Sequence, residues 1–349
     1  MTLQGSATEA GADFRSSTRS RRQTWFGAKR FVKAAVSVPG VNRVVRRAVP
    51  LVRPGARPER LPVPLTVRRV TARMAGVEFV MLGPSRDVVA KELHWGGGRR
   101  PGAADQLALD VFAALARDAD TVLDVGAYTG VFSLLGARVA PAADVHAFEV
   151  VPGNAAAAQA NVVANDLLRS ITVHVAAVGA VGADGGAVVV PTGRGGSALP
   201  DYWSTAMHFE RGVHVPVRSL DSLLPQLDPQ GRGRRAVVKV DVEGAEDAVL
   251  LGGRELLRRW RPDVLCELLP AQAKVPAVLQ ALDGLGYRWF LVQDAELVEH
   301  PVPRGDERFR DWLLTPRTDE QLRAAGVPAR ALPARPSSPA AAPAEPPRP

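Results

Sequence analysis

Thr121-Val-Leu-Asp-Val-Gly-Ala-Tyr-Thr-Gly130 reads as a strand that runs into a glycine turn and then opens a helix. Residues 121–125 are apolar except for Asp124 and the leading Thr121, and a helical pattern follows over 131–139. Gly126 lets the backbone turn sharply and lets a ligand approach the main chain. Free N–H groups at the new helix start would face such a ligand. The pyrophosphate fingerprint GxGxxG is absent, because Tyr128 stands where its middle glycine would be. That disfavours a nicotinamide-dependent oxidoreductase.

The same alternation continues outward. Strands are expected over 144–148, 171–178, 187–190, 236–240 and 264–268, with a last pair over 287–292 and 296–298. Helices are expected over 104–117, 152–168 and 246–259. Two further strands, 65–70 and 77–82, precede them. Repeated strand–helix units predict a doubly wound, mainly parallel α/β sheet with helices on both faces. In such sheets ligands bind outside the carboxyl ends of the strands.

Two acids end strands at that edge. Glu149 closes the strand after the glycine turn, where a carboxylate accepts ribose hydroxyls. An acid there without a diphosphate loop points to a nucleoside ligand such as S-adenosylmethionine, with Asp124 suited to its ammonium group. The second cluster is Lys239-Val-Asp241-Val-Glu243-Gly244-Ala-Glu246. Strand alternation puts Lys239, Asp241 and Glu243 on one side. Charges inside a central strand require partners, and Glu267 on the neighbouring strand is the expected partner of Lys239.

These elements resemble the FkbM family of methyltransferases. The resemblance rests on DVGAxxG at 124–130, Phe148-Glu149, Asn161 and Asn165 on the next helix, Leu220-Asp221, and KVDVEGAE at 239–246. Tyr128 and Val150 depart from the family pattern, which usually has Asn and Pro there. The resemblance implies the class I (Rossmann-like) methyltransferase fold, S-adenosylmethionine as cofactor, and O-methylation of a natural product or glycan. The cofactor residues would be Asp124, Gly126, Tyr128, Gly130 and Glu149. Asp241 is the first candidate for the base that serves the acceptor hydroxyl, and Glu243 the second. No second and third metal ligand stands at convincing spacing from Asp241, so no metal is expected. Rival readings are an RNA methyltransferase and a nucleoside-binding protein without turnover.

Composition bounds the partners. The net charge of +8 is confined to the amino terminus: residues 1–60 hold 13 Lys and Arg against three acids, and the rest is near neutral. With only 10 Phe, six Trp and three Tyr there is little for a base-stacking surface, so nucleic acid is disfavoured. Within 24–49, two amphipathic patterns flank Pro39-Gly40, and Pro50 should end the second. They fit helices meeting anionic lipid, or more simply an arm packed over the body. No run reaches the roughly 18 apolar residues of a membrane span, nor is there a secretory signal, so a cytoplasmic protein is expected. The lone Cys266 reads as a buried structural thiol.

The expected organisation is a basic extension over 1–60, dispensable for chemistry, and a strand and loop unit over 61–103. A methyltransferase domain over 104–327 and a disordered Pro/Ala-rich tail over 328–349 follow. Asp221 should cap a helix. His146 and His174 read as core residues. The 191–218 insertion, with Tyr202, Trp203, His208 and His214, is expected to face substrate.

Overall fold

The computed structural model describes residues 35–52, 61–191, 212–269 and 274–330. Most of the first amphipathic pattern, Tyr202, Trp203, His208 and nearly all of the proline-rich tail lie outside the described residues. The amino-terminal elements are helix α1 (Pro39–Val52), the hairpin β1 (Arg69–Met74) and β2 (Val77–Leu82), and helices α2 (Val88–Trp95) and α3 (Ala103–Ala116). Next come β3 (Thr121–Val125), α4 (Val131–Val139), β4 (Asp144–Glu149), α5 (Pro152–Ala164), β5 (Ile171–Val175), β6 (Ala177–Val178), β7 (Ala187–Val190) and β8 (Val213–Arg218). The remainder is α6 (Leu220–Leu227), β9 (Ala236–Val240), α7 (Glu246–Leu251), α8 (Arg254–Trp260), β10 (Asp263–Glu267), α9 (Val275–Leu282), β11 (Arg288–Val292), β12 (Leu297–His300), β13 (Asp311–Thr315), α10 (Asp319–Ala324) and β14 (Ala329–Arg330).

Nine strands form one sheet in the order β14-β12-β11-β13-β10-β9-β3-β4-β5. β5, β4, β3, β9 and β10 are mutually parallel, and β13 runs antiparallel between β10 and β11. The doubly wound, mainly parallel α/β sheet is therefore present. β3 and β9 are buried along their whole length. Their alternate side chains feed two separate cores: Val122 and Val237 join α3 and α4, while Leu123, Val125, Val238 and Val240 join α6, α7 and α8. Two-sided burial explains why these strands read as apolar runs rather than alternating ones. Asp124 and Lys239, one place from Leu123 and Val238, fall on the α3 and α4 face.

Several boundaries differ from the sequence reading, each for a tertiary reason. The run over 171–178 divides at Ala176, because β5 joins the large sheet and β6 pairs with β8. The first hairpin strand lies at 69–74 rather than 65–70, in register with β2. The helix expected over 152–168 stops at Ala164, and α1 continues through Pro50. The helix expected over 246–259 breaks at Gly252-Gly253. A side chain on Gly252 would run into the Gly179 carbonyl, and the Gly252 carbonyl accepts the Asp221 N–H at 2.9 Å. Asp221 does cap a helix, but it is the second of these: its carboxylate accepts the N–H groups of Glu255 and Leu256 at 3.0 and 2.8 Å. β11 and β12 are not the last strands; β13 and β14 follow, and β13 inserts between β10 and β11.

The hairpin is held over α4 and α5 by two side chains. Asn165 accepts the Val80 N–H at 2.8 Å and donates to the Val80 carbonyl at 2.7 Å. Asn161 accepts the Leu82 N–H at 2.8 Å. Each amide takes the place of a neighbouring strand along the open edge of β2.

α1 is anchored by a buried polar contact. Asn42 Oδ1 lies 2.9 Å from His94 Nε2, and both residues are buried. Burial, and then the nearby Arg46 charge, push the His94 pKa down to about 4. The unfolded chain, at about 6.5, takes up its proton first as pH falls. The anchor's contribution is thus full above pH ~6.5 and is lost progressively as pH falls toward ~4. In denaturant titrations, the stability gap between wild type and His94→Gln should narrow across that window; a gap independent of pH would show that the anchor does not depend on a neutral imidazole.

Candidate active site

The glycine turn after β3 is built around Glu149. Tyr128 N–H donates to its Oε2 at 2.8 Å, and Val151 N–H donates to its Oε1 at 2.8 Å. Gly126 and Ala127 N–H groups both donate to the Phe148 carbonyl at 2.9 Å. The carboxylate therefore ties the turn to the end of β4. Each oxygen keeps acceptor capacity beyond these bonds. Burial pushes the Glu149 pKa up to about 7, against the pull of the two N–H donors. Gly126 sits at φ +82°, and a Cβ there would run into the Asp241 carbonyl, so this glycine also lets the ends of β3 and β9 meet. Gly130 has φ +89°. Tyr128 has φ +50°, a left-handed conformation that side chains adopt at a cost and that clusters at functional sites.

Asp124 is 1% exposed. Its Oδ2 accepts from Ser133 N–H at 2.9 Å and from Ser133 Oγ at 2.6 Å, which fastens α4 to β3. Its Oδ1 is buried without a hydrogen-bond partner. Burial pushes the Asp124 pKa up to about 6 although Ser133 favours the charged form. An orphaned buried carboxylate oxygen is costly, and a cationic donor satisfies it. With Glu149 one strand away, these residues fit a ligand carrying both an ammonium and hydroxyl groups.

Asn161 adds a link the sequence did not reveal. Its Nδ2 donates to the Thr129 carbonyl at 2.9 Å while its Oδ1 holds β2. One side chain thus joins the glycine turn to the hairpin. From the same side, Tyr128 Oη accepts the Val88 N–H at 3.5 Å.

At the mouth of β9 the structure corrects the expected ion pair. Lys239 Nζ lies 3.2 Å from Asp311 and 3.7 Å from Asp241, not against Glu267. The register explains it: Leu265 stands opposite Lys239, which leaves Glu267 two places further along, and Glu267 itself faces Asp311 on β13. Arg310, at 4.0 Å, is the cation within ion-pair distance of Glu267. Lys239 is 2% exposed, and its Nζ lies 5.4 Å from the centre of the Phe132 ring. Burial disfavours the ammonium, but Asp311, Asp241 and Glu267 outweigh it and raise its pKa.

Asp241, Glu243 and Glu267 converge: one carboxylate oxygen from each lies within 4.8 Å of the others. Alternation along a strand does not produce this, since β9 ends at Val240 and the chain then turns through Glu243 at φ +55° and Gly244 at φ +101°. Glu246 holds that turn, accepting the N–H groups of Val242 at 3.3 Å and Gly244 at 3.0 Å. Burial, reinforced by the Asp241 charge and a hydrogen bond with Asp241, pushes the Glu267 pKa up to about 9. Three oxygen donors this close are a set that a divalent cation can use. The sequence showed no second and third ligand beside Asp241; the fold supplies Glu243 and Glu267.

The remaining candidates lie elsewhere. His146 Nδ1 and His174 Nε2 are 3.1 Å apart, and the His174 ring stacks on Phe148. Cys266 is fully buried, and burial pushes its thiol pKa up. Two open hollows of about 400 and 280 Å³ lie at the opposite, amino-terminal end of the parallel strands, beside Asp228 and Trp260, away from the glycine turn.

The Lys239 contacts can be tested by stability. Asp311→Ala strips the buried ammonium of its nearest partner and should cost on the order of 3 kcal/mol. Glu267→Gln should cost much less. Equal losses in thermal melts would restore the pairing with Glu267.

Comparison with known proteins adds to this geometry. Residues 124–289 match the family model described as Methyltransferase FkbM domain. Among solved structures, the chain is similar to a methyltransferase FkbM from Methylobacillus flagellatus KT, with 19% identity over 57% of this chain and 44% of that one, at a TM-score of 0.36. It is also similar to the O-methyltransferase TomG from Streptomyces achromogenes, with 15% identity over 60% and 78% of the two chains and a TM-score of 0.35. A SAM-dependent methyltransferase from Agrobacterium tumefaciens gives 14% identity, 72% and 71% coverage, and a TM-score of 0.38. The chain thus spans less than half the length of the Methylobacillus protein. No curated protein matches it. The match to the methyltransferase FkbM domain begins at Asp124, runs through Glu149 and the β9 turn, and ends in β11.

Proposed function

We propose that this domain uses S-adenosylmethionine to methylate a hydroxyl oxygen of a small natural product or a glycan. The observation that carries the cofactor reading is the pair of buried carboxylates at the carboxyl ends of β3 and β4. Asp124 Oδ1 is unpartnered, and Glu149 retains acceptor capacity. Asp124 would take the ammonium of the methionine portion, and Glu149 the ribose hydroxyls. Gly126, Tyr128 and Gly130 would bring the main chain of the turn against the ligand. When bound, S-adenosylmethionine supplies an activated methyl group.

What remains for the chain is to align an acceptor oxygen and exclude water. Asp241 stands at the mouth of β9, its side chain 36% exposed, and can accept the proton of an acceptor hydroxyl. Lys239 holds it from beneath at 3.7 Å, and a Glu267 carboxylate oxygen lies within 4.8 Å of it. Glu243, the more exposed of the clustered acids, is the second candidate to touch the acceptor. In this reading residues 104–327 form the catalytic unit, and 61–103 covers the cofactor turn through the β2 contacts. No helix among the described residues is long and apolar enough to cross a membrane.

Two variants separate binding from turnover. Calorimetric titration of S-adenosylhomocysteine into Glu149→Ala should show affinity weakened by about 1.5–3 kcal/mol; unchanged affinity in a folded variant removes the ribose assignment. Asp241→Asn should keep cofactor affinity and lose roughly 10²–10⁴-fold in labelled-methyl transfer to acceptors in extracts of the source cell. Full activity would pass the base role to Glu243.

A further inference from the structure

Helix α1 carries two kinds of side chain that the methyltransferase site does not use. One side is spent on the body. Val36 joins a small core with Val63 and Trp95, against which Val45 packs. Asn42 bonds His94, and its Nδ2 donates to the Val36 carbonyl at 3.2 Å. The other side is open, and it is apolar. Val38, Val41 and Val44 are 52%, 40% and 66% exposed. Among the described residues they are three of only eleven exposed large apolar side chains, gathered within seven positions. Scattered exposed valines need no explanation, but Val41 and Val44 on one helix, with Val38 just before it, do.

Charge identifies the partner. Arg43 and Arg46 are exposed on the same helix. Residues 14–58 contain 12 Lys and Arg and no acid. A surface that combines outward valines with arginines, in a stretch of sequence without acids, suits the boundary between acyl chains and anionic headgroups. There valine leaves water, and each cation meets phosphate. A nucleic acid would use the arginines but gain nothing from the valines. We infer that α1, with its exposed Arg43 and Arg46, forms a peripheral docking surface for an anionic lipid bilayer, with Val41 and Val44 entering the interface.

The test is co-sedimentation of the full chain with vesicles of phosphatidylcholine alone and of phosphatidylcholine mixed with phosphatidylglycerol. Binding is expected to the anionic vesicles only, and to weaken as salt is raised. Val41→Ser with Val44→Ser should reduce partitioning several-fold, and Arg43→Gln should reduce it by roughly fivefold. These side chains are exposed, so melting temperatures should stay at the wild-type value, which separates lost docking from lost folding. Three outcomes overturn the inference: no binding to anionic vesicles; binding indifferent to the valine substitutions; or binding to a polyribonucleotide that the vesicles do not match and the valine substitutions do not affect.

Discussion

The ammonium of Lys239 sits in the interior of the large sheet, and the architecture around the site follows from keeping it charged. A buried cation is tolerated only with close, well-placed partners. Asp311 supplies one from β13, which enters the sheet antiparallel beside β10. Asp241 supplies the other from the turn that begins where β9 ends. The chain must therefore carry β13 back between β10 and β11 before this part of the sheet is electrostatically complete. Phe132, on α4, covers the same face.

Fixing Lys239 has consequences for the acids around it. Asp241 is held between an ammonium and the Glu267 carboxyl, whose pKa burial and the Asp241 charge push upward. Carboxyl groups this close raise the cost of ionising one another. At the neighbouring strand end, Asp124 and Glu149 are also deeply buried and also pushed upward in pKa. The edge of the sheet thus concentrates acids whose environments are incomplete by themselves. Such perturbed groups gather where ligands bind.

A second constraint joins the amino-terminal elements to this edge. A hairpin laid over helices exposes an unpaired strand edge, and buried backbone groups there need partners. Asn161 of α5 and Asn165 just beyond its end provide them, and Asn161 also reaches the Thr129 carbonyl in the glycine turn. The hairpin and the glycine turn are thereby positioned by one side chain. Residues 61–103, outside the family match, bear on a site that lies within it.

Much of this was legible in the chain itself. The apolar runs at β3 and β9, the glycine turn at 126–130 and the acid closing β4 are local signals. Each expresses a period or a backbone demand of its own few residues, and together they determine a doubly wound sheet and its functional edge. Other features depend on which segments meet. Whether 171–178 is one strand or two depends on neighbours in two different sheets. Whether α7 and α8 are one helix depends on the Gly179 carbonyl lying against Gly252. That Lys239 meets Asp311 rather than Glu267 depends on the register of β10 and on the insertion of β13. The convergence of Glu243 and Glu267 on Asp241 depends on a left-handed turn that strand alternation does not foresee. The sequence by itself determined the central strand–helix units and the chemical types at their ends. Tertiary structure alone decided the partners, because a buried charge is satisfied by whatever the fold brings within a few ångströms, whatever the separation along the chain.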